Sequence, residues 1–172
     1  MSVFSERARV SDWKVRVGAA ADREAVLDLW LELVEYHRSL DPDYPPTPGL
    51  RATLRREVDR ALAEPGCELS VAVARAPGEI VGFAIAEIDP RPSEEASEGG
   101  TCWIHELYVA PPARDRGVGR ALVRSCERFF ARSGAERATV RVEIGNAAGL
   151  RFWERVGYVE RARVLDKSLP ER

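Results

Sequence analysis

VAPPARDRGVGRAL, residues 109–122, joins two stretches of different periodicity. Upstream, TCWIHELYV (101–109) is rich in aromatic and β-branched residues and reads as a buried strand. Downstream, Val118, Ala121, Leu122, Ser125, Cys126 and Phe129 recur at helical spacing, so a helix is expected from near Gly117 to Gly134. A helix N-terminus points unpaired N–H groups and the positive end of its dipole at whatever precedes it. Gly117 and Gly119 remove side chains that would hold an anion off those N–H groups, while Arg114 and Arg116 add full positive charge. The join therefore reads as a phosphate cradle. A turn that needs glycine only for its backbone angles is the simpler alternative, and the flanking arginines favour the anion site.

Working outward, Ala138–Ile144 alternates Val140, Val142 and Ile144 and is expected to be the next strand. A strand, a crossover helix and a strand form a βαβ unit, which predicts that 101–109 and 138–144 lie parallel in one sheet. Asn146 is placed to cap a short helix over 147–156 that Gly157 ends, and 158–169 is expected to supply closing strand. Before the join, residues 1–12 are a polar arm and Trp13–Val17 a first strand. Asp22 is a candidate N-cap for a helix striped by Val26, Trp30, Leu33, Val34 and His37, ending before Pro42. A proline-rich connector follows, with Thr47-Pro48 a candidate start for a helix through Leu50, Leu54, Val58, Ala61 and Leu62. Runs 69–74 and 80–88 read as a hairpin, where Gly82 signals a bulge or a close backbone approach. The loop 89–100 carries Glu94, Glu95 and Glu98, by default a solvated face; attraction of a cationic substrate, with the Asp41–Asp43 connector, is the sharper alternative.

The bulk figures exclude several classes. With 172 residues the chain fits one domain, and 45% apolar with 31% charged residues is a globular composition. A net charge of −2 argues against nucleic acid as a partner, and no apolar run reaches a membrane span. Cys67, Cys102 and Cys126 fit neither a zinc spacing nor a disulfide framework, so no metal is expected and the expected compartment is reducing and cytoplasmic.

Arg114-x-x-Gly117-x-Gly119 after a strand, then Asn146…Phe152-Trp153-Glu154-Arg155-Val156-Gly157-Tyr158, resembles the GNAT superfamily of N-acetyltransferases. The first motif resembles that family's acetyl-CoA loop and the second its closing segment. The resemblance implies an α/β (α+β) fold: a mixed, mostly antiparallel sheet with splayed parallel central strands, flanked by about four helices. It implies acetyl-CoA as acyl donor. The backbone of Leu107, Tyr108 and Val109 would pair with the pantetheine amides, and the N–H groups of Arg114, Asp115, Arg116, Gly117, Val118, Gly119 and Arg120 would hold the pyrophosphate. Asn146 would reach the cofactor from the other side.

The implied reaction transfers acetyl to an amine, which must lose a proton before it can attack. On the strand, Glu106 is the carboxylate of the right type and is preferred as general base. His105 has a suitable titration range but, in a regular strand, the opposite facing. A bulge would change which one faces the cleft. Glu143 is a weaker third candidate. Many members place a tyrosine as general acid where this chain has Trp153, whose indole is far too weak an acid. Trp153 then packs on the cofactor or in the core, and Tyr108 or Tyr158 is a candidate replacement. His37 and Tyr44 are weak candidates for acceptor contact. The expected acceptor is a small-molecule amine, and the family makes a homodimer a reasonable expectation. A peptide acceptor and a non-catalytic acyl-CoA-binding module are the alternatives. A nucleotide-binding domain fits less well, because the loop lacks the Gly-Lys-Ser/Thr ending of a P-loop.

Overall fold

The computed structural model describes residues 12–41, 44, 47–89, 100–165 and 167. Asp43 and the acidic residues Glu94, Glu95 and Glu98 fall outside them. The chain divides into two compact units, one reaching Arg141 and one starting at Val142.

In the first unit the elements run β1 (Trp13–Val17), α1 (Arg23–Leu40), α2 (Leu50–Ala63), β2 (Cys67–Ala74), β3 (Ile80–Asp89), β4 (Thr101–Val109), α3 (Val118–Phe130) and β5 (Ala138–Val140). The five strands form one sheet in the order β1-β2-β3-β4-β5. The first three pairings are antiparallel and β4–β5 is parallel, as the βαβ reading required.

Strand alternation sorts the sheet residues between two layers. Leu69, Val71, Val73, Phe83, Ile85 and Tyr108 share a core with Val26, Leu27, Trp30, Leu33 and Val34 of α1 and Leu54 and Val58 of α2. The intervening Ala72, Ala84, Ala86, Cys102 and Ile104 are buried on the other face, where α3 packs with Leu122, Val123, Cys126 and Phe130 buried. Small residues on that face let α3 come close to the sheet. Gly82 combines both features that its position suggested. Ala72 pairs with Gly82 and Val73 with Ile80, so Val81 is the extra residue of a bulge. A Cβ on Gly82 would also lie 2.7 Å from the Tyr108 carbonyl oxygen.

Four local expectations are corrected. Asp22 does not cap α1 with its side chain, because its own backbone is already helical (φ −85°, ψ −12°). The carboxylate turns back instead to accept from Ala19 N–H at 2.8 Å and from the Arg16 guanidinium at 2.6 and 2.8 Å. α2 starts at Leu50 rather than at Thr47-Pro48. Gly49 takes the left-handed conformation (φ 66°) at the N-cap, and the Thr47 carbonyl accepts from Leu50 N–H at 3.1 Å. α3 ends at Phe130, and residues 131–134 form turns up to left-handed Gly134 (φ 75°). β5 stops at Val140, where its last pairing, with Ile104 of β4, ends. Among the described residues no strand pairs with the chain beyond Val140, and it does not continue as strand.

The second unit contains α4 (Ala147–Arg155), and none of the described residues from 158 onward is strand. Asn146 caps α4 as expected, its Oδ1 accepting from Gly149 N–H at 2.8 Å. Trp153 is 9% exposed and meets Phe152 and Tyr158 edge-on, with centroids 5.2 and 5.0 Å apart. Ile144, Val159, Val164 and Leu165 are exposed.

Candidate active site

β4 positions both halves of the site. Its pairing with β5 covers Cys102–Ile104 only, and β4 then continues to Val109 with no strand beside it on that side among the described residues. A stretch of extended backbone with one open edge can accept a further extended molecule as if it were a strand. Leu107, Tyr108 and Val109 lie on that stretch.

From Val109 the chain passes through a 3-10 turn, Pro111–Ala113, secured by Ala113 N–H to the Ala110 carbonyl at 2.9 Å. Asp115 (φ 58°) and Gly117 (φ 82°) are both left-handed. No side chain caps α3; its first helical bond runs from Ala121 N–H to the Gly117 carbonyl at 3.1 Å. Val118, Gly119 and Arg120 therefore present N–H groups that have no acceptor inside the helix. Arg116 and Arg120 are exposed beside them. An anion placed here gains from those N–H groups, the helix dipole and the guanidinium charges together.

Arg114 is oriented differently from the cradle expected of it. Its Nε donates to the Val109 carbonyl at 2.9 Å, and its guanidinium carbon lies 5.5 Å from the Tyr108 ring centre and 5.9 Å from that of Tyr36. Two aromatic faces hold the cation by their negative quadrupoles.

On the α1/α2 side, β4 carries a bulge. Ile85 pairs with Glu106 and Ala86 with Ile104, so His105 is an extra residue. Directly paired residues share a face. Glu106 thereby joins Ile85 and Tyr108 on the face covered by α1 and α2, opposite to Ile104. His105 reaches the same side, because its Nε2 lies 2.9 Å from Oε2 of Glu87. The expectation that His105 and Glu106 face opposite ways does not hold, since a bulge adds one residue to the alternation.

Glu87 also accepts from Arg60 Nη2 at 3.1 Å. Arg60 is further engaged by Glu57, 3.1 Å away, and by the Cys67 sulfur at 3.2 Å. Burial works against the Arg60 cation, but the carboxylates of Glu87 and Glu57 outweigh it and raise its pKa above the ordinary value. Trp103 stacks on His105 at 6.1 Å and 16°. Near the end of β4, the Tyr108 hydroxyl donates to Glu32 Oε2 at 3.1 Å. Burial, and then the hydrogen bond and negative charge of Glu32, push the phenol pKa up, with Arg114 opposing in part. Tyr108 is thus a neutral donor already directed at Glu32.

His37 and Tyr44 come together, with ring centres 5.8 Å apart, and Tyr36 lies 6.0 Å from His37. Asn146, Trp153 and Glu143 belong to the second unit, where Asn146 Oδ1 serves the α4 cap and Trp153 is core. Among the described residues no group of three or more His, Cys, Asp or Glu side chains is arranged to hold a metal ion. No helix among them is long and apolar enough to cross a membrane.

Sequence reading missed Glu32, Tyr36, Arg60 and Glu87. One signal was present: Glu87 is the carboxylate that interrupts the apolar run of β3, in step with Phe83 and Ile85. Glu32 and Tyr36, one helical turn apart on α1, gave none.

The likeness to known proteins follows the same lines. Residues 30–158 match the sequence profile of the acetyltransferase (GNAT) family. The chain is 34% identical over 96 residues to the aminoglycoside N(6')-acetyltransferase type 1 of Klebsiella aerogenes, a match covering 55% of this chain and 62% of that protein. Thus the matched stretch spans less than two thirds of that relative. The fold superposes on a mutant form of the BH1408 protein from Bacillus halodurans with a TM-score of 0.78 at 16% identity, over 91% of this chain and 99% of the other. It also superposes on aminoglycoside N-acetyltransferase AAC(6')-Iy in complex with CoA, with a TM-score of 0.73 at 19% identity, over 94% and 97%. A profile that spans the strand, the glycine join and the closing helix, on a mixed sheet whose β4 and β5 are parallel, places this chain in the GNAT family of acetyltransferases.

Proposed function

We propose that this chain transfers the acetyl group of acetyl-CoA to a primary amine of a small molecule. The observation that carries the reading is the open edge of β4 over Leu107–Val109, which leads directly to the uncapped, glycine-lined N-terminus of α3. An extended amide-bearing arm fits the first and a pyrophosphate the second. Gly117, Val118, Gly119 and Arg120 would hold the phosphates through backbone N–H groups, with Arg116 adding charge, and Asp115 shaping the turn. In the reaction the amine nitrogen attacks the thioester carbonyl, the carbon–sulfur bond breaks, and the thiolate leaves with its electrons. The amine proton passes to a base at the β4 bulge, drawn from Glu106 and His105, which share the α1/α2 face. No covalent enzyme intermediate is required.

Glu32 and Glu106 on this side of the sheet suit a cationic acceptor, and the aminoglycoside relative is named for a substrate of that kind. His37 and Tyr44 would line its approach. A cytoplasmic setting accords with three free thiols, and a homodimer is the proposed assembly; fractionation and light scattering check these two points. Calorimetry with acetyl-CoA and with ATP tests the donor site. Binding of acetyl-CoA in preference to ATP is expected, and the reverse preference would end the reading. A wild-type chain that binds acetyl-CoA tightly but turns over no amine in a broad panel would favour a non-catalytic acyl-CoA-binding module.

A further inference from the structure

His105 is the additional residue of the β4 bulge, and Glu87 and Trp103 constrain its ring. Nε2 lies 2.9 Å from Glu87 Oε2. Trp103 stacks nearly parallel to the imidazole. Glu87 is anchored on its other side by Arg60, which α2 contributes and which Glu57 and the Cys67 sulfur hold in turn. The chain thus runs from α2 through Arg60 and Glu87 to a histidine ring that remains 40% exposed.

A carboxylate only accepts hydrogen bonds, so the ring nitrogen facing it carries the hydrogen. In a neutral imidazole the other nitrogen is then a bare acceptor. We propose that Glu87 is a positioning residue that fixes His105 in the Nε2–H tautomer, and that Nδ1 of His105 is the atom that takes the proton from the acceptor amine, directly or through one water. The proposal rests on the acetyl-transfer reading above. The proton moves from the attacking nitrogen to Nδ1, the ring becomes imidazolium, and the Glu87 carboxylate stabilises the added charge. Arg60 in turn holds the Glu87 carboxylate in place. Glu106, on the same face of β4, then acts on the acceptor as a carboxylate partner rather than as the base.

A purely structural role for Glu87, neutralising Arg60, is the competing account, and the two differ in what they predict for the ring. The chain has two histidines, so 15N-histidine labelling gives two spin systems, which His37→Gln assigns. The expected wild-type signature is protonated Nε2 and bare Nδ1 for His105, turning into a mixture of tautomers in Glu87→Gln. Acetyl transfer by Glu87→Gln should fall in kcat by about 10–100-fold with the KM for acetyl-CoA unchanged. His105→Ala should lose about 10²–10⁴-fold, and Glu87→Asp should recover part of the Glu87→Gln loss. Protonated Nδ1 in the wild-type ring overturns the proposal, as does a Glu87→Gln variant with unaltered tautomer and kcat. So does loss of turnover in Glu106→Gln alongside an unaffected His105→Ala. A wild-type chain that acetylates nothing overturns the acetyl-transfer reading and the catalytic role of His105 with it. Failure of the tautomer result in an active wild type removes only the present proposal.

Discussion

The hydroxyl of Tyr108 donates to Glu32 Oε2 across 3.1 Å and so ties the end of β4 to the middle of α1. Burial and Glu32 raise the phenol pKa, so the folded state disfavours tyrosinate. Stability from this contact is therefore fully present below the ordinary tyrosine pKa of about 10 and declines as pH rises through the higher folded value. Tyr108→Phe should cost about 1 kcal/mol at neutral pH. In a spectroscopic titration of the four tyrosines, Tyr108→Phe should remove the component that ionises above the ordinary range. An unchanged titration curve would contradict this assignment.

Asp22 gives the opposite sign. Hydrogen bonds from Arg16, assisted by Ala19 N–H and the Arg16 charge and opposed by burial, hold its carboxyl below the usual range. Its stabilisation is present above the unfolded pKa of about 4 and disappears as pH falls through the folded one. Asp22→Asn should lower stability by about 1–3 kcal/mol at pH 7. Denaturant melts repeated at lower pH should show the gap between the two proteins closing, and a constant gap would refute the linkage.

Gly82 and Gly117 are required for different reasons. A Cβ on Gly82 meets the Tyr108 carbonyl oxygen at 2.7 Å, a backbone atom that cannot rotate away. Gly82→Ala should cost about 1–3 kcal/mol and disturb β4 opposite Val109. At Gly117 the nearest atom to an added Cβ is Trp13 at 3.9 Å, so space is adequate and the penalty is the left-handed backbone, about 1 kcal/mol. Gly117→Ala should therefore fold almost normally yet bind acetyl-CoA more weakly by about tenfold, if it distorts the N–H groups at the start of α3. Unaltered affinity in calorimetry would remove Gly117 from the donor site.

The three thiols are free and buried. Burial pushes Cys126 up to about 12, with the charge of Glu68 adding to it, and raises Cys67 and Cys102 as well. Because the thiolate is the reactive form, a disulfide reagent at pH 8 should titrate the native chain slowly and all three thiols rapidly after denaturation. Rapid reaction of one thiol in the native chain would single out a reactive cysteine that this account does not contain.

Local chemistry wrote part of this architecture plainly. The switch from strand to helical periodicity around the glycines of 109–122 fixed the parallel β4–β5 pair, and Gly82 announced both its bulge and its close contact. What stayed hidden depends on partners distant in the chain. The bulge at His105 is a property of pairing between β3 and β4, so no pattern within β4 reveals that His105 and Glu106 share a face. Arg114 looked like a phosphate ligand because its neighbours Gly117 and Gly119 are suited to one, whereas its side chain finds two aromatic rings, one of them on α1. The strand expected beyond Val140 rested on alternation alone, and alternation cannot supply the hydrogen-bonding neighbour that a strand needs.

The central claim is donor chemistry at β4 and α3, followed by transfer to an amine. It is tested most directly by incubating the wild-type chain with acetyl-CoA and single amines from a panel of polyamines, aminoglycosides, amino acids and peptides. Free thiol and the mass of the acceptor are followed together. The account predicts amine-dependent thiol release matched one-to-one by acetylated small-molecule product. Thiol release that is independent of amine, or acetylation confined to peptides, would contradict it.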